Sequence, residues 1–272
     1  MINLLDDEDD SIYSSVKFHL IEAGEEALPF LGNFLESGDP LVKSRVHEIY
    51  EAITSGSFKE QMRSFCLKYK DDVDLEEGVF IIAKHGYPGV DMRIYSDLLN
   101  FYAAEFQGRF DPSDAPEDIA AKISAYMAEE KGFSGSEVEY YNSENHYLNK
   151  IMETKRGVPI GLSVVYLLVL KRLNLPVHGI GMPGHFIVRY DFGSKNLYAD
   201  PSSGGKILSR EDCRKISSQL GYDFKNEYLD PVTNRQILER MLRNLVLVFE
   251  KQDQPVKVQA MIQCIDILNM NV

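Results

Sequence analysis

The stretch Gly157-Val158-Pro159-Ile160-Gly161-Leu162-Ser163-Val164-Val165-Tyr166-Leu167-Leu168-Val169-Leu170-Lys171-Arg172-Leu173 decides the fold. Proline suits the first turn of a helix, where its missing N–H costs nothing, and residues 160–173 are apolar almost all round. That pattern predicts a helix buried on every side. Its longest apolar run, 164–170, is far too short to cross a bilayer and is closed by Lys171 and Arg172. Strand-like segments come next at 177–182, 186–190 and 197–199, separated by turn signals at Pro183-Gly184 and Gly193-Ser194. Their close spacing, with no helix between them, implies antiparallel pairing. A central buried helix packed on a small antiparallel sheet is an α+β layout.

Both flanks read as helical. Ile12, Val16, Leu20 and Ile21 recur at helical spacing, as do Ala27, Phe30, Leu31, Phe34 and Leu35. Gly38-Asp39-Pro40 interrupts, and a further helix carries Val42, Val46, Ile49, Tyr50 and Ile53, with Gly56 as its expected stop. Helices continue between 75 and 127, broken at Tyr87-Pro88-Gly89 and at Phe110-Asp111-Pro112-Ser113; Asp114 or Ser113 reads as the next cap. Residues 140–147, Tyr-Tyr-Asn-Ser-Glu-Asn-His-Tyr, are too polar for a core element and read as a structured loop. Beyond Pro231, residues Ile237, Leu238, Met241, Leu242, Leu245 and Val248 mark an amphipathic helix. The expected organisation is a helical segment over 1–70, a helical subdomain over 71–130, the core over 131–228 and C-terminal helices over 229–272.

Of 272 residues, 44% are hydrophobic, enough for one sizeable core with an appended helical region or for two small domains. Lys and Arg total 29 against 42 Asp and Glu, a formal charge of −13. That balance argues against a nucleic acid or an anionic membrane as partner, since both need clustered cations. The start, Met1-Ile2-Asn3-Leu4-Leu5-Asp6-Asp7, has no basic and apolar leader pattern, and a cytoplasmic protein is expected. Cys66, Cys213 and Cys264 are odd in number and far apart, so reduced structural thiols are expected rather than disulfides or a zinc site. No metal spacing and no phosphate-binding glycine loop is present; Gly179-x-Gly181 lacks a third glycine and a following helix. No cofactor is implied. His85 and His178 read as ordinary hydrogen-bonded histidines.

The candidate chemistry lies beside the central helix. His185 opens a strand after a tight turn, and period-two alternation groups it with Ile187 and Arg189. Asp200 ends the next strand. If the two strands form a hairpin, His185 and Asp200 meet at one end, as a base and the carboxylate that orients it. The N-terminus of the central helix would suit a nucleophilic thiol, since the dipole and a neighbouring imidazolium lower its pKa. No cysteine stands there. Ser163, one turn further in, is a weak candidate nucleophile, expected instead to bond a preceding carbonyl.

At these residues the chain resembles the SirB-type branch of the transglutaminase-like superfamily, from about Asp74 to Cys213. The carrying segments are Lys131-Gly132-Phe133-Ser134-Gly135, Tyr140-Tyr141-Asn142, Asn145-His146-Tyr147-Leu148-Asn149 and Arg156-Gly157-Val158-Pro159-Ile160. They continue in Pro183-Gly184-His185-Phe186-Ile187-Val188-Arg189 and in Asp200-Pro201 with Gly204-Gly205. The resemblance implies a papain-like fold and a Cys-His-Asp triad. His185 and Asp200 match its last two members; counting back from Leu173-Asn174-Leu175 puts the cysteine position on Pro159. Members of this branch often carry a small hydroxyl residue where this chain has Gly161. The N-terminal segment resembles a HEAT-type helical repeat, which cannot bury its own apolar face and should dock on the rest of the chain or on a partner.

Three functions are expected. The first is a non-catalytic descendant whose cleft binds a peptide or protein partner, with Asn149, Arg156 and Tyr141 joining Pro159, His185 and Asp200 there. The second is a hydrolase or acyl transferase using His185 and Asp200 with an unusual nucleophile. The third is a helical-repeat scaffold or regulatory protein.

Overall fold

A computed structural model describes residues 4–69, 71–111, 113–136, 141–193 and 196–270. Met1, Ile2, Asn3, Pro112, Tyr140 and Ser194 lie outside the described residues. The chain opens with α1 (Asp10–Ala23), α2 (Leu28–Gly32) and α3 (Pro40–Lys68). Asp39 caps α3 through its carboxylate, which accepts from the backbone N–H groups of Leu41 and Val42, and Pro40 sits at the first turn. Gly56, expected as a stop, lies inside this 29-residue helix. An exposed glycine costs a helix only about 1 kcal/mol. The apolar face beyond it, Phe58, Met62, Phe65 and Cys66, is buried and outweighs that cost.

Next come α4 (Leu75–Gly86), α5 (Met92–Gln107) and α6 (Pro116–Ala125), the last running into a π-helical turn, Tyr126–Glu130. Neither Ser113 nor Asp114 caps α6. Its cap position is Ala115, without a side-chain bond, because Pro116 fixes the first helical residue; Asp114 instead pairs with Lys122 at 2.6 Å. A short parallel pair, β1 (Ser134–Gly135) and β2 (Arg156–Gly157), brackets a 3₁₀ turn, Ser143–His146, and α7 (Leu148–Thr154). The expected polar loop is in fact partly core: Asn145, His146 and Tyr147 are buried. Tyr147 fits because Gly86 has no side chain; a Cβ there would lie 2.6 Å from the tyrosine ring.

The central helix α8 (Pro159–Arg172) is buried at every position from 160 to 170, as its sequence predicts. Each fully buried Val, Leu or Ile contributes about 1.5–3 kcal/mol relative to exposure, which makes α8 the axis of the main core. It lies against a four-stranded antiparallel meander in the order β3 (Val177–Ile180), β4 (Ile187–Asp191), β5 (Asn196–Asp200), β6 (Lys206–Leu208). Phe186, Val188, Tyr190 and Ala199 join the main core, while Ile187, Tyr198 and Leu208 face a smaller cluster with Cys213 of α9 (Arg210–Gln219) and Leu229. The helices α10 (Asn234–Lys251) and α11 (Pro255–Asn269) close the molecule, α11 lying along α3. No helix among the described residues is long and apolar enough to cross a membrane.

Candidate functional site

The β4–β5 register places Val188 opposite Ala199, so the residues just before β4 and at the end of β5 share one end of the sheet. His185 Nε2 stands 2.8 Å from Asp200 Oδ2. The alternation expected to group His185 with Ile187 does not reach it. β4 begins only at Ile187, and the turn through Gly184, at φ 69°, carries the imidazole toward α8 while Ile187 faces the opposite cluster.

Asp200 is only 3% exposed, and its oxygens are fully engaged. Oδ1 accepts from Ser202 N–H at 3.0 Å and from Ser202 Oγ at 2.6 Å; Oδ2 accepts from Ser203 Oγ at 2.8 Å as well as meeting His185. Burial pushes the carboxyl pKa up, but the bond and charge of His185 with the two serine hydroxyls outweigh it and hold the group below its ordinary value. Asp200 is therefore an ionised orienter. A depressed folded-state pKa gives stability that is complete above the ordinary value of 3.8 and is lost as pH falls through the lower folded value. Urea midpoints between about pH 6 and about pH 2.5 should drop more steeply in the native protein than in Asp200→Asn. Parallel curves would show that the carboxylate is not held ionised.

Opposite the imidazole is the first turn of α8. Val158 is its cap residue, fixed by its N–H to Asn145 O at 3.1 Å, and Pro159 is the first helical residue. A cavity of about 240 Å³ lies here, lined by Pro159, Ile160, Gly184, His185, Phe186, Arg240 and Asn244. No thiol or hydroxyl of the described residues lines it. Pro159 supplies neither a sulfur nor a backbone N–H, so the position lacks both an attacking atom and a donor for a developing oxyanion. Asp200 occupies Nε2, which leaves Nδ1 as the ring nitrogen for any further partner.

Ser163 is fully buried, and its Oγ donates to Phe186 O at 3.3 Å. The expected bond to a preceding helix carbonyl is replaced by one to the entry of the sheet, because that strand passes directly over α8. A hydroxyl sealed in this way is not presented to the cavity. Cys66, Cys213 and Cys264 are free and buried. Burial pushes the thiols of Cys213 and Cys264 up to about 12, far from thiolate character at neutral pH.

Pro159, His185 and Asp200 are thus brought together; Asn149, Arg156 and Tyr141 are not among the residues that line the cavity. Arg156 Nη1 donates to Gly132 O at 3.0 Å and to Ser134 Oγ, tying β2 to the start of β1. Asn149 is buried, and its Oδ1 has no hydrogen-bond partner among the described residues. Tyr141 is 52% exposed, and its carbonyl accepts from Gln252 Nε2 at 2.9 Å, beyond the end of α10. His85 departs from expectation too: its Nδ1 is buried without a partner among the described residues, and desolvation, aided by Lys257, lowers its pKa to about 4, so the ring is neutral.

Arg240 and Asn244 are the residues that sequence reasoning missed. Arg240 Nη2 donates to His185 O at 2.9 Å, and its guanidinium carbon sits 5.4 Å from the Phe186 ring centre. The two are spaced i, i+4 beside the apolar stripe of α10, a signal of a shared helix face that says nothing of what the face meets. Among the described residues no cluster of three or more His, Cys, Asp or Glu side chains could hold a metal ion.

Comparison with known proteins agrees with this architecture. Residues 94–243 match the family described as "Transglutaminase-like superfamily". A UPF0162 protein of Xylella fastidiosa is 32% identical over 190 residues, which cover 68% of this chain and 68% of that protein. A UPF0162 protein of Pseudomonas aeruginosa is 24% identical over 196 residues, 70% of each chain. F-box only protein 21 of Mus musculus is 25% identical over 138 residues, 48% of this chain but 22% of that protein. No solved structure matches the chain. A buried helix whose first turn faces a His–Asp pair, within a matched region spanning 94–243, places this chain in the transglutaminase-like superfamily, to which it belongs.

Proposed function

We propose that this protein is a SirB-type, non-catalytic member of the superfamily whose cleft binds a peptide or protein partner. One observation carries the reading: the residue facing His185 across the cavity is Pro159, with no thiol or hydroxyl on the described lining. A His–Asp pair orients and polarises, but covalent catalysis needs a nucleophile within hydrogen-bond reach of the base. What remains is a small, partly apolar recess with a few placed polar groups, the form of a binding site. Three free, buried cysteines accord with a reducing compartment, and on this reading the protein works in the cytoplasm.

The test pairs turnover with binding. The native protein should show no saturable deamidation, transamidation or hydrolysis of glutamine-containing peptides, while peptides shift the NMR resonances of His185 and its neighbours. Turnover abolished by His185→Ala would overturn the reading in favour of a hydrolase or acyl transferase.

A scaffold role has one observation of its own. The N-terminal helices, which we read as a HEAT-like pair, expose Phe18 at 63% and Phe30 at 62%. If partner capture resides there, replacing these two exposed side chains together, Phe18→Ser with Phe30→Ser, abolishes it while the core stays folded.

A further inference from the structure

We propose that a second cavity, where the ends of α4 and α10 and the start of α11 meet α3, binds a small zwitterion with an apolar body, such as a free amino acid. The cavity is about 250 Å³ and shares no lining residue with the recess at His185. From α3 come His47, Tyr50, Glu51 and Thr54, whose i, i+3, i+4 and i+7 spacing puts them on one face of the helix. Polar groups on the lining lack partners. Tyr147 is 3% exposed, and its hydroxyl makes no hydrogen bond with the described residues. His85 is 8% exposed, with Nδ1 unpartnered, and the half-buried Tyr50 hydroxyl is unbonded too. Buried polar groups are normally satisfied, and several orphans converging on one cavity point to an occupant that supplies the missing bonds.

The charges on the lining define that occupant. Glu51, on α3, and Lys257, on α11, are half-buried, and neither forms an ion pair with the other or with any described residue. Lys257 is the third residue of α11, at the positive end of the helix dipole, where a cation is disfavoured. Its ammonium rests over the Phe249 ring, 5.3 Å from the ring centre, and its charge adds to desolvation in keeping His85 neutral. A carboxylate would answer Lys257, and an ammonium would answer Glu51; a ligand with one charge would leave the other wall uncompensated. Leu35, Tyr87 and Phe249 supply apolar surface for the body of the ligand. The volume lies below the usual range for drug-sized ligands and suits a molecule of amino-acid size. Leu35 and Tyr50 pack on the N-terminal cluster, whereas Tyr147 and Phe249 belong to the main core. An occupant therefore bridges the two cores and stabilises the folded chain.

The experiment titrates the full-length native protein calorimetrically with L-leucine, with L-phenylalanine and with glycine betaine, whose quaternary ammonium carries the same pair of charges. N-acetyl-leucine removes the ammonium charge, and leucinamide removes the carboxylate. Leucine or phenylalanine should bind and, at about ten times its Kd, raise Tm by about 3 °C. Each blocked form should bind about tenfold to a hundredfold more weakly than leucine, and leucine should lose as much in Glu51→Gln and in Lys257→Gln. Binding by betaine alone also supports the inference and assigns the site to a quaternary zwitterion. The comparison of parent and blocked ligands needs no variant, so a folding defect in either variant leaves it intact. A blocked form that matches leucine overturns the inference, as does unchanged binding in either variant. Absence of both heat and Tm shift with all three zwitterions at about 20 mM overturns it too, leaving a cavity that holds only water. None of these outcomes bears on the cleft at His185.

Discussion

Pro159→Cys is expected to give a protein with one fast-reacting thiol. The side chain would stand at the first position of α8, facing His185, whose orientation is already fixed by Asp200. A helix N-terminus and an adjacent imidazolium bring thiols from about 8.5 down to roughly 3.5–7.5. The substitution also restores a backbone N–H that proline lacks, at a cost of about 1 kcal/mol in lost chain stiffness. Iodoacetamide should therefore alkylate about one equivalent in the folded variant and almost none in the native protein, whose thiols are buried. The pH profile is the decisive readout. An ordinary thiol loses reactivity about tenfold per pH unit below its pKa, whereas the introduced thiol, paired with His185, should react almost evenly between about pH 5 and about pH 7. Adding His185→Ala should return the ordinary slope. A thiol in the single variant that already titrates near 8.5 would show that this turn is not aimed at the imidazole.

Gly205→Ala should destabilise the protein by about 2–4 kcal/mol, combining a left-handed backbone penalty of about 1–2 kcal/mol with overpacking. Gly205 has φ +71°, and an added Cβ would come within 2.9 Å of Ser124 Cβ and 3.1 Å of Ser124 Cα, on α6. Its N–H donates to Asp200 O at 2.9 Å, so the strain is delivered next to the orienting carboxylate. Gly204→Ala is the matched control. That residue shares the left-handed backbone, at φ +67°, but meets nothing within 4 Å. Urea midpoints should fall for both variants and further for Gly205→Ala. Equal shifts would mean that α6 yields to the extra methyl.

The parts of this molecule legible in sequence are those fixed by neighbours in the chain. The apolar run after Pro159 announced a buried helix, and the turns at Pro183-Gly184 and Gly193 set the strands that join His185 to Asp200. What escaped depended on distant segments. Gly56 reads locally as a stop, yet α4 and α11 lie against α3 and carry it on. Residues 145–147 read as solvated until Gly86 opens space for Tyr147. Ser163 found its partner across the core, in the carbonyl of Phe186. Arg240 and Asn244 are ordinary polar positions on an amphipathic helix, and only the docking of α10 over the sheet edge makes them walls of the cleft.

The long helix α3 belongs to two cores at once. Val46, Ile49 and Ile53 lie in the N-terminal cluster, and Phe58, Met62, Phe65 and Cys66 in the main one. At about 1.5 Å per residue its 29 residues form a rod roughly 44 Å long, with no linker between the two halves. The N-terminal helices are thus a lever arm rather than a tethered bead: a load placed on them reaches the enzyme-like core as torque along α3, without a swivel to dissipate it.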